Sequence, residues 1–216
     1  MRLIRARKWE ARDRATAEFA LANAGLPHRE WLAKYLVDQI GVDTPARVLE
    51  VGCSYGPNLI ALSKLAPGWE LSGIDISPAN IEVGRERLDA MGFDRPNVNL
   101  TTADATRQLA YGNSSFNVVF TDAVLLYTNP LAARRAVREM VRIASGRVVT
   151  LELSKTNGRI PHRRSRDGWL HDYRSLFDGL PKVTSVETIR LPPRLRTAGR
   201  WPTLGMLTSV SLRQTR

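Results

Sequence analysis

The chain has 216 residues, a formal charge of +11 from 32 Lys and Arg against 21 Asp and Glu, and one cysteine, Cys53. The length suits one domain with a sizeable core. A lone cysteine excludes an intrachain disulfide framework and a cysteine-built metal cluster, and no run of about 18 apolar residues is available to span a bilayer.

In chain order, residues 10–24 read as a helix rich in Ala, Glu and Arg without proline. Leu26-Pro27-His28 interrupts it. A second amphipathic helix is expected over 29–40, with Trp31, Leu32, Tyr35, Leu36 and Ile40 on one broad face, ended by Gly41 and Pro45. Strands and helices then alternate: strand 48–51, helix 58–65 stopped by Pro67-Gly68, strand 71–76, helix 78–91 capped by Ser77 and closed by Gly92, strand 98–102. Strand 116–120 is continuously apolar at its centre, as a strand covered on both faces should be. Helix 130–143 and strand 148–153 complete the alternation. Residues 154–168 are polar, basic and rich in Gly, Pro and Ser, long for an unstructured connection and therefore a candidate functional loop. A short helix at about 169–178 and strands 183–189 and 206–212 follow, separated by a proline- and arginine-rich link.

The chemistry-bearing stretch is Glu50-Val51-Gly52-Cys53-Ser54-Tyr55-Gly56, between the first strand and its helix. Glycines at 52 and 56 permit the sharp turn and let backbone approach a ligand. The spacing differs from the dinucleotide Gly-x-Gly-x-x-Gly, and an acid stands two residues before the first glycine, where a pyrophosphate would be repelled. A second acid, Asp75, ends the second strand, and a third, Asp104, lies just past strand 98–102.

A glycine turn followed by two strand-end acids in this order resembles the class I S-adenosylmethionine-dependent methyltransferases over residues 40–154. Pro57 after the second glycine and the bulky Tyr55 before it depart from the usual pattern; Pro57 still fits the first position of a helix. The resemblance implies an α/β, three-layer Rossmann-like fold: a mostly parallel seven-stranded sheet, a C-terminal antiparallel hairpin and an N-terminal helical cap. It implies a cap over 1–40 and a methyltransferase domain over 41–216, within which residues 154–168, by their length and composition, are a candidate active-site loop. It implies S-adenosylmethionine as cofactor and S-adenosylhomocysteine as product. Glu50, Gly52, Cys53, Ser54, Tyr55, Gly56 and Asn58 would bind the cofactor, with Glu50 tuning the methionine end, whose ammonium and sulfonium favour an acidic setting. Asp75 would accept the ribose hydroxyls with Ile76 against the adenine, Asp104 and Ala105 would meet the adenine edge, and Thr121 the ammonium.

Methyl transfer needs alignment and exclusion of water more than covalent help, with a base required only for a weakly acidic acceptor. The catalytic candidates are Asp122 and Tyr127, in the segment after strand 116–120, and His171 at the start of the short helix. His28 and His162 are the other histidines, and no spacing among the three suits a metal. Asn/Asp-Pro-Pro-Tyr/Phe, typical of family members that methylate exocyclic amines of bases, is absent; Thr121-Asp122-Ala123-Val124 stands in its place. The expected activity is therefore methyl transfer to oxygen or nitrogen of a small molecule, in a cytoplasmic protein without integral membrane association, with a homodimer as a further expectation. Charge supplies the alternative of an RNA acceptor. Residues 1–14 hold six basic and two acidic side chains, residues 155–216 thirteen and four, and residues 15–154 thirteen and fifteen, so an anionic partner would meet the ends. A solvated basic face, or a cofactor-binding scaffold without catalysis, completes the alternatives.

Overall fold

The computed structural model describes residues 11, 13–16, 26–92, 97–154, 162–164, 168–195 and 201–213. The described residues fold as two compact units, one within 6–104 and one within 105–216.

In the first unit, residues 14–16 are helical, and the rest of the helix expected over 10–24 lies mostly outside the described residues. Its start is at 14 rather than 10, because the Asp13 carboxylate accepts the Thr16 amide at 2.8 Å and so caps the turn. Helix α1 (Pro27–Ile40) begins two residues before the expected 29. Proline suits a first helical turn, where its missing N–H is no loss. The unit continues through β1 (Arg47–Val51), α2 (Pro57–Leu65), β2 (Glu70–Asp75), α3 (Pro78–Ala90) and β3 (Val98–Thr102). Ser77 caps α3 as expected, accepting the Asn80 amide. Strands β1, β2 and β3 pair in parallel, with Val51 opposite Ile74 and Asp75 opposite Thr102, which aligns their carboxyl ends. Helix α3 comes close to the glycine turn at Gly84, where an added Cβ would lie 3.0 Å from Tyr55 backbone.

The second unit contains β4 (Phe116–Asp122), a single 3-10 turn at Leu125–Tyr127, α4 (Pro130–Ile143), β5 (Ala144–Leu153), β6 (His162–Arg164), β7 (Trp169–His171), α5 (Tyr173–Phe177), β8 (Val183–Arg190), a second 3-10 turn at Pro193–Leu195, α6 (Trp201–Leu204) and β9 (Gly205–Leu212). Helix α4 occupies the expected residues and is capped by Asn129, whose side chain accepts the Ala132 amide. It buries Ala133, Ala136, Val137, Met140 and Val141 along one stripe. Strand β5 starts four residues before the expected 148. Ser145-Gly146-Arg147 looks like a turn but extends the strand past a register shift in β4 between Phe116 and Val118.

Two expectations are corrected beyond residue 154. Residues 169–171 form strand β7, not the first turn of a helix, and β7 pairs antiparallel with β6, which lies inside the segment expected to be an unstructured loop. The helix starts only at Tyr173 because Asp172 is its cap, accepting the Ser175 amide at 3.3 Å.

Strand order in the seven-stranded sheet is β3-β2-β1-β4-β5-β9-β8. Strands β4 and β5 are parallel, whereas β9 runs antiparallel to both its neighbours, forming the expected C-terminal hairpin with β8.

Candidate functional site

In the first unit, the carboxyl ends of β1, β2 and β3 converge on Asp75. The turn after β1 is built from three residues in the left-handed region, Gly52 (φ 76°), Ser54 (φ 52°) and Gly56 (φ 83°), two of them the residue that adopts it without strain. Its amides are already engaged. Those of Gly52 and Cys53 donate to the Ile74 carbonyl at 2.7 and 2.9 Å, that of Gly56 to Cys53 at 2.9 Å, and that of Ser54 to Asp75 Oδ2 at 2.9 Å. Asp75 Oδ1 accepts the Ser77 amide at 2.8 Å and Asn80 Nδ2 at 3.3 Å. Three protein donors thus fix a carboxylate that retains 9% of its surface exposure. The Ala103 amide donates to the Asp75 carbonyl at 2.9 Å and so ties the chain after β3 to the same point; Asp104 and Ala105 follow, half-buried.

Glu50 is buried on β1, and its Oε1 accepts Asn58 Nδ2 from the first turn of α2 at 2.6 Å. Burial, and then the charges of Glu50 and Asp75, push the Cys53 thiol well above its ordinary range, so Cys53 is a packed thiol rather than a nucleophile. Tyr55 is buried with the Arg87 guanidinium 6.0 Å from its ring centre. Ile76 is half-buried.

The second unit has its own polar knot, centred on a residue the motifs do not single out. Glu152, near the end of β5, is fully buried. Its Oε1 accepts Thr121 Oγ1 at 3.0 Å and the amides of Val124 and Leu125 at 2.9 Å; its Oε2 accepts the Leu126 amide at 3.3 Å. Burial raises its carboxyl to about 7 against the lowering effect of those four bonds. Burial first, and then the Glu152 charge, push the Tyr173 phenol well above its usual range. An acid inside the otherwise apolar run Val148-Val149-Thr150-Leu151-Glu152-Leu153 is the signal that could have found it, because a buried glutamate is seldom without a dedicated set of donors.

The catalytic candidates gather near this knot. Asp122 closes β4 and is half-buried; Ala123 follows at φ 56°, its amide on the Leu151 carbonyl at 2.9 Å. Tyr127, half-buried, packs with Ala123, Trp201 and Leu204 against Leu126, Leu153 and Leu170. His171 ends β7 rather than starting a helix, and it is fully buried. Its Nε2 lies 3.2 Å from the Leu125 carbonyl and 3.1 Å from that of Thr128, so this nitrogen carries the proton and donates. Trp169 lies parallel to the imidazole at 6.4 Å and Tyr173 edge-on at 5.7 Å. Of the other histidines, His28 is half-buried on α1 and His162 lies on β6.

Residues 48–145 match the family model described as a methyltransferase domain, the stretch that runs from β1 to the start of β5. The match covers somewhat less than half of the chain, and over that stretch the chain resembles methyltransferase domains. The chain is 34% identical over 131 residues to demethylmenaquinone methyltransferase of Staphylococcus aureus (strain JH9), a match over 59% of this chain and 51% of that protein. The chain thus spans about half the length of the curated relatives it matches. Among solved structures it is similar to magnesium protoporphyrin IX methyltransferase of Synechocystis PCC 6803 with bound S-adenosylhomocysteine, with a TM-score of 0.66, 15% identity, and coverage of 96% of this chain and 92% of that one. It is equally similar to the [4+2]-cyclase SpnF, with a TM-score of 0.66, 16% identity, and coverage of 86% and 81%. The two neighbours share the fold and differ in reaction, so the chemistry has to be argued from the residues. Among the described residues no helix is long and apolar enough to cross a membrane.

Proposed function

We propose that this protein transfers the methyl group of S-adenosylmethionine to oxygen or nitrogen of a small-molecule acceptor and releases S-adenosylhomocysteine. The observation that carries the reading is the Asp75 carboxylate, held by the Ser54 and Ser77 amides beside a glycine turn backed by the buried Glu50. The donor set fits an adenosyl sulfonium better than a dinucleotide. The amides of Gly52, Cys53, Ser54 and Gly56 are engaged within the unit, so the turn offers few donors to a pyrophosphate. Glu50, Asp75 and Asn58 beside it suit a ligand with a cationic end and paired hydroxyls.

S-adenosylmethionine, when bound, supplies a methyl group already activated by its sulfonium. Asp75 holds the ribose hydroxyls, Glu50 with Asn58 sets the acidic character of the methionine end, and Asp104 with the Ala105 amide meets the adenine. Asp122 and Tyr127 face the acceptor. Asp122 takes the acceptor's proton where one must leave, because His171 Nε2 already donates to two carbonyls and cannot accept there. The half-buried Tyr127 and Trp201 supply an apolar wall, as a flat or lipophilic acceptor requires.

Calorimetry with S-adenosylmethionine, S-adenosylhomocysteine and NAD tests the cofactor. Binding of NAD with no response to either adenosyl compound would refute this reading. The acceptor is found by following labelled methyl from the cofactor into a small-molecule extract, into demethylmenaquinone (the substrate named for the relative) and into total RNA.

A further inference from the structure

The turn that follows β4 adjoins Asp122, carries Tyr127 and has almost no regular structure of its own. Ala123 sits in the left-handed region, and the 3-10 turn spans only Leu125–Tyr127. Such a segment needs outside partners for its backbone groups. It receives them from two side chains on different strands. Glu152 accepts the amides of Val124, Leu125 and Leu126, and His171 Nε2 donates to the carbonyls of Leu125 and Thr128. Each polar side of the turn is thereby tied to a fully buried group.

We propose that Glu152 is a positioning residue for methyl transfer: its carboxylate assembles the turn from Ala123 to Thr128 that presents Asp122 and Tyr127 to the acceptor, with His171 fixing the carbonyl side. This rests on the methyltransferase reading. A structural role alone would be satisfied by an apolar residue filling the same volume, since burying a charge is costly even when it is well bonded. The ionised form is the one that fits, because four donors converge on two acceptor oxygens. Protonation puts an O–H where an amide N–H already points. The side chains recorded as interacting with it carry no charge: β4 brings Thr121 and α5 the protonated phenol of Tyr173. The position of Glu152's titration near 7 makes the hold on the turn depend on pH in the neutral range.

The test uses the full chain and the variant Glu152→Gln, which keeps the shape and removes the charge. Three quantities are read: cofactor affinity by calorimetry, protection of the Val124, Leu125 and Leu126 amides by hydrogen exchange, and formation of S-adenosylhomocysteine from S-adenosylmethionine with a small-molecule extract as acceptor source. The variant is expected to bind cofactor within about twofold of wild type, to exchange those three amides at least ~10-fold faster while the β4 amides stay protected, and to turn over at least ~10-fold more slowly. Wild-type turnover should rise with pH through about 7, and the variant should lack that inflection. A folded variant with unchanged protection of the three amides overturns the proposal, as does unchanged turnover with the same pH profile. Should the variant fail to fold, wild type alone decides. At about pH 8.5 the three amides of wild type should exchange within about 10-fold of the β4 amides, and exchange as fast as that of an exposed loop overturns the proposal. Failure of wild type to bind either adenosyl compound would refute the methyltransferase reading, while the exchange rates would still decide whether Glu152 holds the turn.

Discussion

Asp75 and Glu152 are both acids at the carboxyl ends of parallel strands, and both are gathered by backbone amides of the segment that follows a strand. Their surroundings give them opposite tasks. Asp75 ends its strand, keeps some exposure and is held by the Ser54 and Ser77 amides with Asn80, so its oxygens are aimed but reachable. Glu152 is fully buried one residue before its strand ends, and its four donors all belong to its own unit. In the proposed reading the same chemistry, a carboxylate fixed by N–H donors, serves as a ligand where solvent reaches it and as a brace where solvent does not.

The largest expected effect falls on the first of the pair. Asp75→Ala should weaken S-adenosylmethionine binding by at least ~100-fold, about 3 kcal/mol, because charge-assisted bonds to the ribose hydroxyls are each worth roughly 1.5–3 kcal/mol. The thermal midpoint should fall much less than that loss implies. Calorimetry and a melting curve on the same preparation check it, and unchanged affinity in a folded variant would remove Asp75 from the ligand role.

Gly168→Ala examines the second region without touching either acid. A Cβ there would lie 2.3 Å from the Leu126 carbonyl, so the turn must move. The expected outcome is slower methyl transfer, by at least ~10-fold, with a destabilisation of roughly 1–3 kcal/mol from overpacking and cofactor affinity held within about twofold. A parallel loss of cofactor affinity would mean that the two regions are not separable in function.

Stability against pH gives the next contrast. Glu152 titrates near 7 in the folded chain, above its ordinary carboxyl range. The unfolded chain therefore releases this proton first as pH rises. The stabilisation is fully present below about pH 4.5 and is lost through about 7, amounting to about 2 kcal/mol between about pH 5.5 and about pH 8.5. Urea titrations at the two pH values should show this difference in wild type and not in Glu152→Gln. Stability and turnover should then move in opposite directions across neutral pH, a cost tolerated at sites that act. A variant retaining the full pH dependence would assign the effect to another group.

How legible each region is in the sequence follows from how its acid is held. Asp75, Glu50 and the glycine turn are read from spacing because their partners lie within one βαβ unit: Asn58 is eight residues from Glu50 and Ser54 is 21 from Asp75. The alternation of strands and helices through residue 153 is read from the same local periodicity. Glu152 reaches turn residues 26 to 31 positions earlier through a parallel pairing, and no short pattern encodes that reach. His171 is similar. Its neighbours Trp169 and Tyr173 fit either a strand or a helix by composition, and only pairing with β6 and the Asp172 cap separates the two. The polar character of residues 154–168 marks a loop but conceals β6, because a three-residue strand has no period to detect.

The smallest effect is expected from the basic C-terminal part, which belongs to neither knot. Arg190 and Arg194 are exposed, and Arg190 Nη1 lies 3.5 Å from the Thr203 carbonyl. Arg196 and Arg200 lie outside the described residues. If these arginines recruited RNA, affinity would fall steeply with salt as phosphate contacts release counterions. If they are a solvated face, replacing Arg194, Arg196 and Arg200 together by alanine should change small-molecule turnover by less than about twofold and stability by less than about 0.5 kcal/mol. The second outcome is expected because Tyr127 and Trp201 pack against the apolar cluster of Leu126, Leu153 and Leu170, whereas a single-stranded RNA reader needs aromatic platforms interleaved with cations along a groove. Methyl transfer to total RNA and to the small-molecule extract, each at low and physiological salt, separates the cases. RNA methylation that is salt-sensitive and lost in the triple variant would assign the acceptor to RNA and give the basic end a catalytic purpose. Undiminished small-molecule turnover in that variant would leave the acceptor chemistry with the turn that Glu152 braces.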